Sequence, residues 1–379
     1  MSEWNVCCID DLGTVNRGKS KHRPRNDSIL FGGLYPFIQT ADVKKANLYI
    51  TEYNETYSDI GLAQSKLWDK GTLCITIAAN IAESAILGID ACFPDSVVGF
   101  IPHKGKSDLK FVKYLLDEFK VYMQQISKGT TQDNLSLEKL RRVKFNVPEY
   151  NTQVKIANFL STYDDLIENN QRRIALLEKA AQELYKEWFV RFRFPGYENA
   201  KFENGLPKGW KIKKVKDIVK RFPFGKLYKE ADVLSEGQVI VIDQSKEPYI
   251  GFHNDEPSHT ANIDTPIILF GDHSCKLQLM ITPFSLSENV VPFSAIKDID
   301  TTYLYFLVKD LIETTEYKRH WTEFVSKKVL LADYDIQKQF SETIKSNLLI
   351  IESLKNKNRN LIKQRDLLLP RLMSGKLEV

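Results

Sequence analysis

Residues 160–188 read LSTYDDLIENNQRRIALLEKAAQELYKEW, and residues 344–372 read IKSNLLIIESLKNKNRNLIKQRDLLLPRL. In the first, Leu160, Tyr163, Ile167, Asn170, Ile174, Leu177, Ala181, Leu184 and Trp188 fall at alternating spacings of three and four. Moving on by 184 lands on Ile344, Asn347, Ile351, Leu354, Asn358, Leu361, Arg365, Leu368 and Leu372, in the same frame. An apolar repeat of 3.5 residues kept over more than three heptads marks helices that pack along a shared seam. Asn170, Asn347 and Asn358 cost stability at seam positions but can fix register and pairing. No proline interrupts either stretch before Pro370, so both helices can run unbroken. Two ordinary amphipathic helices in separate globules are the plainer reading, and the length over which the period holds argues against it.

Outward from the helices, the chain resembles itself. WNVCCIDDL at 4–12 returns as WKIKKVKDI at 210–218, an offset of 206. GLYPFIQ at 33–39 returns as GQVIVID at 237–243, an offset of 204, and LCIT at 73–76 as IILF at 267–270, an offset of 194. Tyr114-Leu-Leu meets Tyr305-Phe-Leu at 191, and PEYNTQ at 148–153 meets ADYDIQ at 332–337 at 184. The offset shrinks steadily, as deletions scattered through a shorter second copy would produce. Each copy opens with short β-rich runs, Gly, Pro and Asn-rich loops and one helical stretch, without strict βαβ alternation, so the class is α+β (mixed α/β). FRFPGYENAKFENGLPKGW at 192–210 has no periodicity and reads as a linker. The expected plan is a first globule over 1–150, a helix over 151–194, a linker over 195–209, a second globule over 210–333 and a last helix over 334–379. It amounts to two similar globules joined by two long helices in an antiparallel coiled coil, a pseudo-two-fold internal repeat.

The chain has 379 residues, 43% hydrophobic and 27% charged, values that exclude wholesale disorder. No run approaches a membrane span, and the opening MSEWNVCCIDDLG lacks the basic and apolar regions of a secretory signal. Its five cysteines form no CxxC pair, which fits reduced thiols in a cytoplasmic protein.

Motifs for catalysis are missing. Gly99-FIPHK-Gly105-Lys106-Ser107 has five residues between its glycines where a phosphate-binding loop needs four, and Pro102 stands among them. A dinucleotide fingerprint and the Asp/Asn-Pro-Pro-aromatic tetrapeptide of amino-methyltransferases are also absent. Glu-x-Lys occurs at Glu316-Tyr-Lys318 and at Glu118-Phe-Lys120, where helix-surface ion pairs are the plainer role, the six histidines are scattered, and none has a metal-ligand spacing. The expectation is a chain with no catalytic residue, no metal site and no cofactor of its own.

Charge collects locally. Arg17, Lys19, Lys21, Arg23 and Arg25 lie in an acid-free run, and residues 208–229, including Lys220, Arg221, Lys226 and Lys229, hold nine basic residues against Asp217. Both clusters follow the Trp-led opening of a copy, and Gly18-Lys19 and Gly225-Lys226 are candidates for equivalence. Basic loops beside glycine can approach a phosphate backbone, whereas a solvated face is the plain alternative. Gln39 and Thr40, and Gln244 and Ser245, follow the equivalent runs GLYPFI and GQVIVI, where they can pair with base edges or simply turn the chain. His273 after Asp272 allows a polar contact or an ordinary surface role. Trp188, Phe189, Arg191, Phe192 and Phe194 fit equally a helix-end core or a partner interface.

Three segments carry a family resemblance. IALLEKAAQELYKEWFVRFRFPGYE at 174–198 resembles the central conserved region of the specificity (S) subunits of bacterial type I restriction-modification systems. GTTQDNLSLEKLRRVKFNVPEYNTQVKIANFL at 129–160 is similar to the segment closing their first recognition domain, and NRNLIKQRDLLLPRLMSGKLEV at 358–379 to their C-terminus. The resemblance implies two target recognition domains, each reading half of a split sequence in double-stranded DNA, with the helices as a ruler. It also implies docking of two modification (methyltransferase) subunits using S-adenosylmethionine, and of restriction subunits using ATP with Mg. Thr130, Thr131 and Gln132 join the DNA-contact candidates, although the second copy has HWTEFVSKKVLLADYDIQ at 320–337 in place of that pattern. The competing functions are a fused or solitary methyltransferase or nuclease, and a coiled-coil scaffold that does not read DNA.

Overall fold

The computed structural model describes residues 4–128, 134–245, 247–314, 316 and 318–379. It divides into two compact units, Met1–Arg172 with Lys355–Val379, and Arg173–Leu354.

In the first unit, β1 (Asn5–Cys7) is followed by α1 (Ile9–Leu12), β2 (Gly13–Arg17), β3 (Phe31–Phe37) and α2 (Thr40–Lys45). Next come β4 (Tyr49–Ile50), β5 (Glu55–Tyr57), α3 (Asp59–Gln64), β6 (Leu67–Trp68), β7 (Leu73–Thr76) and β8 (Ser84–Leu87). Then follow β9 (Ala91–Cys92), β10 (Val97–Pro102), α4 (Leu109–Glu118), α5 (Lys120–Ser127), α6 (Leu137–Arg142) and β11 (Phe145–Val147). The long helix α7 (Tyr150–Tyr185) contributes to both units.

The second unit holds β12 (Phe202–Glu203), β13 (Leu206–Pro207), β14 (Lys211–Lys214), β15 (Val219–Arg221), β16 (Val239–Ile242) and β17 (Gly251–His253). It continues through β18 (Ile267–Gly271), β19 (Leu277–Met280), β20 (Phe284–Leu286), β21 (Val290–Ala295) and α8 (Thr301–Val308). Then come α9 (Trp321–Ser326), β22 (Lys328–Leu331) and α10 (Tyr334–Met373), whose last part belongs to the first unit.

Each unit repeats the other's pairing. One sheet runs β2-β10-β7-β8-β4 in the first unit and β15-β21-β18-β19 in the second. The other runs β5-β3-β9-β6 and β17-β16-β20. The register agrees as well as the order: Asn5 faces Val147 in β1/β11, and Lys211 faces Leu331 in β14/β22. Phe37 lies parallel to Cys92, and Val241 parallel to Ser285. Three of these positions recur at the offsets 206, 184 and 204 read from the sequence, and Cys92 and Ser285 stand at 193, between the sequence offsets of 194 and 191. The runs LCIT and IILF are buried along their whole length, as strands covered on both faces must be.

Side-chain caps extend the match. Asp108 accepts from the Phe111 amide and Asp300 from the Tyr303 amide, each starting a helix. Gln153 accepts from the Asp108 amide at 3.0 Å and donates to the Pro148 carbonyl at 2.9 Å. Gln337 does the same with the Asp300 amide at 3.0 Å and the Ala332 carbonyl at 2.7 Å. The caps set an offset of 192 at α4 and α8, so Tyr114 corresponds to Phe306, which corrects the offset of 191 read from Tyr114 and Tyr305.

All the seam positions named above are buried or half-buried. In the first unit Ile156, Ala157 and Leu160 share a core with Leu372 and Met373. In the second, Ala181, Leu184 and Trp188 share one with Phe340, Ile344 and Leu348. Early α7 thus meets late α10, and late α7 meets early α10, so the helices pack antiparallel in each unit. The end of α7 widens into a π turn over Lys186–Val190, which brings both Trp188 and Phe189 inward. The stretch 195–209, read as a structureless linker, instead folds the hairpin β12/β13. Its turn is Asn204-Gly205, with φ of 51° and 79°, the pair that a type I′ turn requires.

Candidate nucleic-acid interface

In the second unit the loops after β16 and β18 meet. The Gln244 side-chain oxygen accepts from the His273 amide at 3.0 Å, and Gly271 lets the loops approach, since a Cβ there would lie 3.1 Å from that of Gln244. Ser245 donates to Asp243 at 2.7 Å, and Thr314 donates to the His273 carbonyl at 3.1 Å. With Ser274 and Glu316 they line a shallow, open cleft of about 610 Å³. Beneath it, Asp272 accepts from the backbone amides of His320 and Trp321, at 3.1 and 2.8 Å, and so starts α9. Ser136 does this work for α6 in the first unit. Three residues singled out in the sequence, Gln244, Ser245 and His273, therefore share one cleft of hydrogen-bonding groups.

The equivalent corner of the first unit differs. Gln39 is exposed but tied, its side-chain amide donating to Glu55 at 2.6 Å, and Thr40 opens α2 half-buried. The loop after β7 holds Ala79, Asn80 and Ala82 at φ of 50°, 44° and 65°, unusual for residues with side chains. The offset of 194 aligns Ala79 with His273 and Asn80 with Ser274. Asn80 was missed in the sequence, and that arithmetic was the signal for it. Thr130, Thr131 and Gln132 lie outside the described residues.

The basic residues separate by partner. Arg17, Lys19 and Lys21 are exposed at the end of β2 and beyond it. None of them has an ion pair among the described residues. Arg23 donates to the carbonyls of Ser20 and His22, and Arg25 pairs with Asp95 at 2.8 Å. In the second unit Lys220 and Lys229 stand exposed, and Arg221 lies 5.2 Å from the centre of the Trp321 ring. Lys226 pairs with Asp255 at 2.6 Å, and that bond holds the Asp255 carboxyl below its usual range. Gly18 and Gly225 are not equivalent. Gly18 packs where a Cβ would lie 2.2 Å from the Pro94 carbonyl, whereas Gly225 turns the chain at φ 71°. Packing, and not room for a phosphate, explains Gly18.

Of the aromatic set, Trp188, Phe189 and Phe194 are buried in the second unit's core. Phe189 lies 4.7 Å from Tyr303, and Phe194 lies 5.6 Å from Trp210. Core packing is their role, and only Arg191 and the half-buried Phe192 keep surface for a partner. Arg191 and Arg193 both pair with Glu187.

The comparisons with known proteins bear on this doubled arrangement. A family model described as the type I restriction modification DNA specificity domain matches residues 1–179. The whole chain is 27% identical to the type I restriction enzyme MjaIX specificity subunit of Methanocaldococcus jannaschii, over 94% of that protein. The chain is thus similar over its whole length to a type I restriction enzyme specificity subunit. Another specificity subunit, HindI of Haemophilus influenzae, is 28% identical over 51% of this chain and 42% of its own length. The fold of this chain is also that of the S subunit from M. genitalium, with a TM-score of 0.60 at 16% identity over 98% of this chain and 96% of that one. No helix among the described residues is long and apolar enough to cross a membrane.

Proposed function

We propose that this chain is a type I specificity subunit that reads a split target in double-stranded DNA, one half-site with each unit, and that the chemistry belongs to its partners. The observation that carries the reading is the doubled fold, in which strand order, register and caps recur while the loops after equivalent strands carry different side chains. Two frames alike and two sets of loop residues unlike are what reading two different half-sites requires. In the second unit the readers are Gln244, Ser245 and His273. In the first they are Gln39, Thr40 and Asn80. The unpaired cations Arg17, Lys19, Lys21, Lys220 and Lys229 hold the phosphate backbone and fix position without specifying sequence.

The domains of this reading are the globules over 1–150 and 210–333, with the helices over 151–194 and 334–379 setting the gap between half-sites. Two methyltransferase subunits bring S-adenosylmethionine to adenine, and restriction subunits bring ATP and Mg, in a bacterial cytoplasm. The test is to map methylated adenines across a host genome with and without this gene, and with Gln244→Ala. A bipartite methylated motif that depends on the gene and changes in one half with Gln244→Ala supports the reading. Methylation by the purified chain alone would overturn it.

A further inference from the structure

The helix seam of the first unit buries polar pairs whose counterparts in the second unit are apolar. In the first unit the Asn170 amide donates to Asn358 at 2.8 Å, and Asn358 donates to the Ile167 carbonyl at 3.3 Å. Six residues before Asn170, Asp164 accepts from both Arg365 and the Tyr114 hydroxyl. Asp164 is 2% exposed, Asn170 and Asn358 are 8% exposed, and Arg365 also reaches Asn47 at 3.2 Å. The repeat offset of 184 gives the corresponding positions in the second unit. Asp164 becomes Leu348, Asn170 becomes Leu354, Asn358 becomes Ile174 and Arg365 becomes Ala181. All four are apolar and buried or half-buried.

We propose that Asp164, Asn170, Asn358 and Arg365 form a pairing code that makes α7 accept α10 and reject a second copy of itself. Two α7 helices packed in the same register would set Asn170 against Ile174 and Asp164 against Ala181. Two α10 helices would set Asn358 against Leu354 and Arg365 against Leu348. Each such pairing sets an amide against an apolar side chain and separates the opposite charges, leaving Asp164 only the Tyr114 hydroxyl and Arg365 only the neighbouring Asp366, which is more costly than burying the four together. Because the chain's two halves are similar, without these four residues the seam alone would not distinguish the partner half from a second copy. The inference does not depend on how DNA is read.

The test uses the full chain with a protease site inserted in the exposed Asn204-Gly205 turn. The folded protein is cut there, unfolded in urea and refolded by dilution, and the fragment pairs are counted by native mass spectrometry. Pairs of unlike fragments should exceed pairs of like fragments by on the order of 100-fold or more. A variant carrying Asp164→Leu, Asn170→Leu, Asn358→Ile and Arg365→Ala should form like pairs at close to random frequency. The proposal is overturned by random pairing of the unchanged fragments, by their remaining unpaired, or by an undiminished preference in the variant. If that variant does not refold, Asp164→Arg and Arg365→Asp fragments decide. They should pair with each other and neither with its unchanged counterpart, and any other pattern overturns the code.

Discussion

Replacing Arg17, Lys19 and Lys21 together by Ala should flatten the salt dependence of DNA binding, and the structure says by how much. These three cations are exposed, with no ion pair among the described residues, whereas Arg23 serves backbone carbonyls and Arg25 holds Asp95. Each phosphate that is no longer neutralised lowers the slope of log K against log salt by about 0.9, so three of them lower it by about 2.7. Between 50 and 200 mM salt the parent should therefore lose about 40-fold more affinity than the variant. The control is Arg23→Ala with Arg25→Ala, which removes committed side chains and should change the slope by less than about one unit. Fluorescence anisotropy of a labelled target duplex, titrated at four salt concentrations with the partner subunits present, gives both slopes. Preference between target and scrambled duplex should stay the same in every case, because phosphate contacts position and do not specify. An unchanged slope in the triple variant, or an equal change in the control, would refute the assignment.

Four further outcomes are expected. Gln153→Ala and Gln337→Ala should each lower stability by roughly 2–4 kcal/mol, from two or more lost hydrogen bonds that leave buried groups unpaired, and urea denaturation should show similar losses for both. Gly18→Ala should lower the midpoint of thermal unfolding by the equivalent of roughly 1–3 kcal/mol, since the new methyl would overlap the Pro94 carbonyl and the Phe93 ring. Gln244→Ala with His273→Ala should alter one half of the methylated motif and Asn80→Ala the other, as read by genome-wide adenine methylation; a change in both halves from either variant would break the division of labour. Inserting four residues near Asn170 to Ile174 in α7, matched in α10, adds about 6 Å of helix and turns it by only about 40°. It should change the gap between half-sites and leave their bases as they were.

Much of the fold was legible because duplication writes the same physical constraint twice. One strand pattern is weak evidence, but Asn5 opposite Val147 and Lys211 opposite Leu331 are one ladder at two offsets. The seam was legible for a similar reason, since a 3.5-residue period held over many turns is what packing along a single partner helix imposes. What escaped was local geometry. The Asn204-Gly205 turn was in plain view but was read only as loop composition, and the π turn that buries both Trp188 and Phe189 has no periodic signature at all. The site was legible in part. Gln244 and Ser245 lie far from His273 in sequence and meet it only because the loops after β16 and β18 come together. Asn80 was hidden by its neighbours, since an alanine-rich loop gives no polar cluster to notice. Which basic residues are committed to carboxylates or carbonyls depends on contacts such as Arg25 with Asp95, which no spacing reveals.

The positions that stayed the same and those that diverged sort by what they touch. Asp108 with Gln153 and Asp300 with Gln337 kept the same hydrogen bonds, because each ties a unit's own helix to the start of α7 or α10. The seam diverged: Asp164, Asn170, Asn358 and Arg365 in one unit stand against Leu348, Leu354, Ile174 and Ala181 in the other. Drift alone does not account for that set. A charge or an amide arising singly at these buried positions would be destabilising, so each change is tolerable only together with its partner on the facing helix. The complementary changes fell on opposite helices, Asp on α7 with Arg on α10. That arrangement joins two similar halves of one chain and excludes two identical ones.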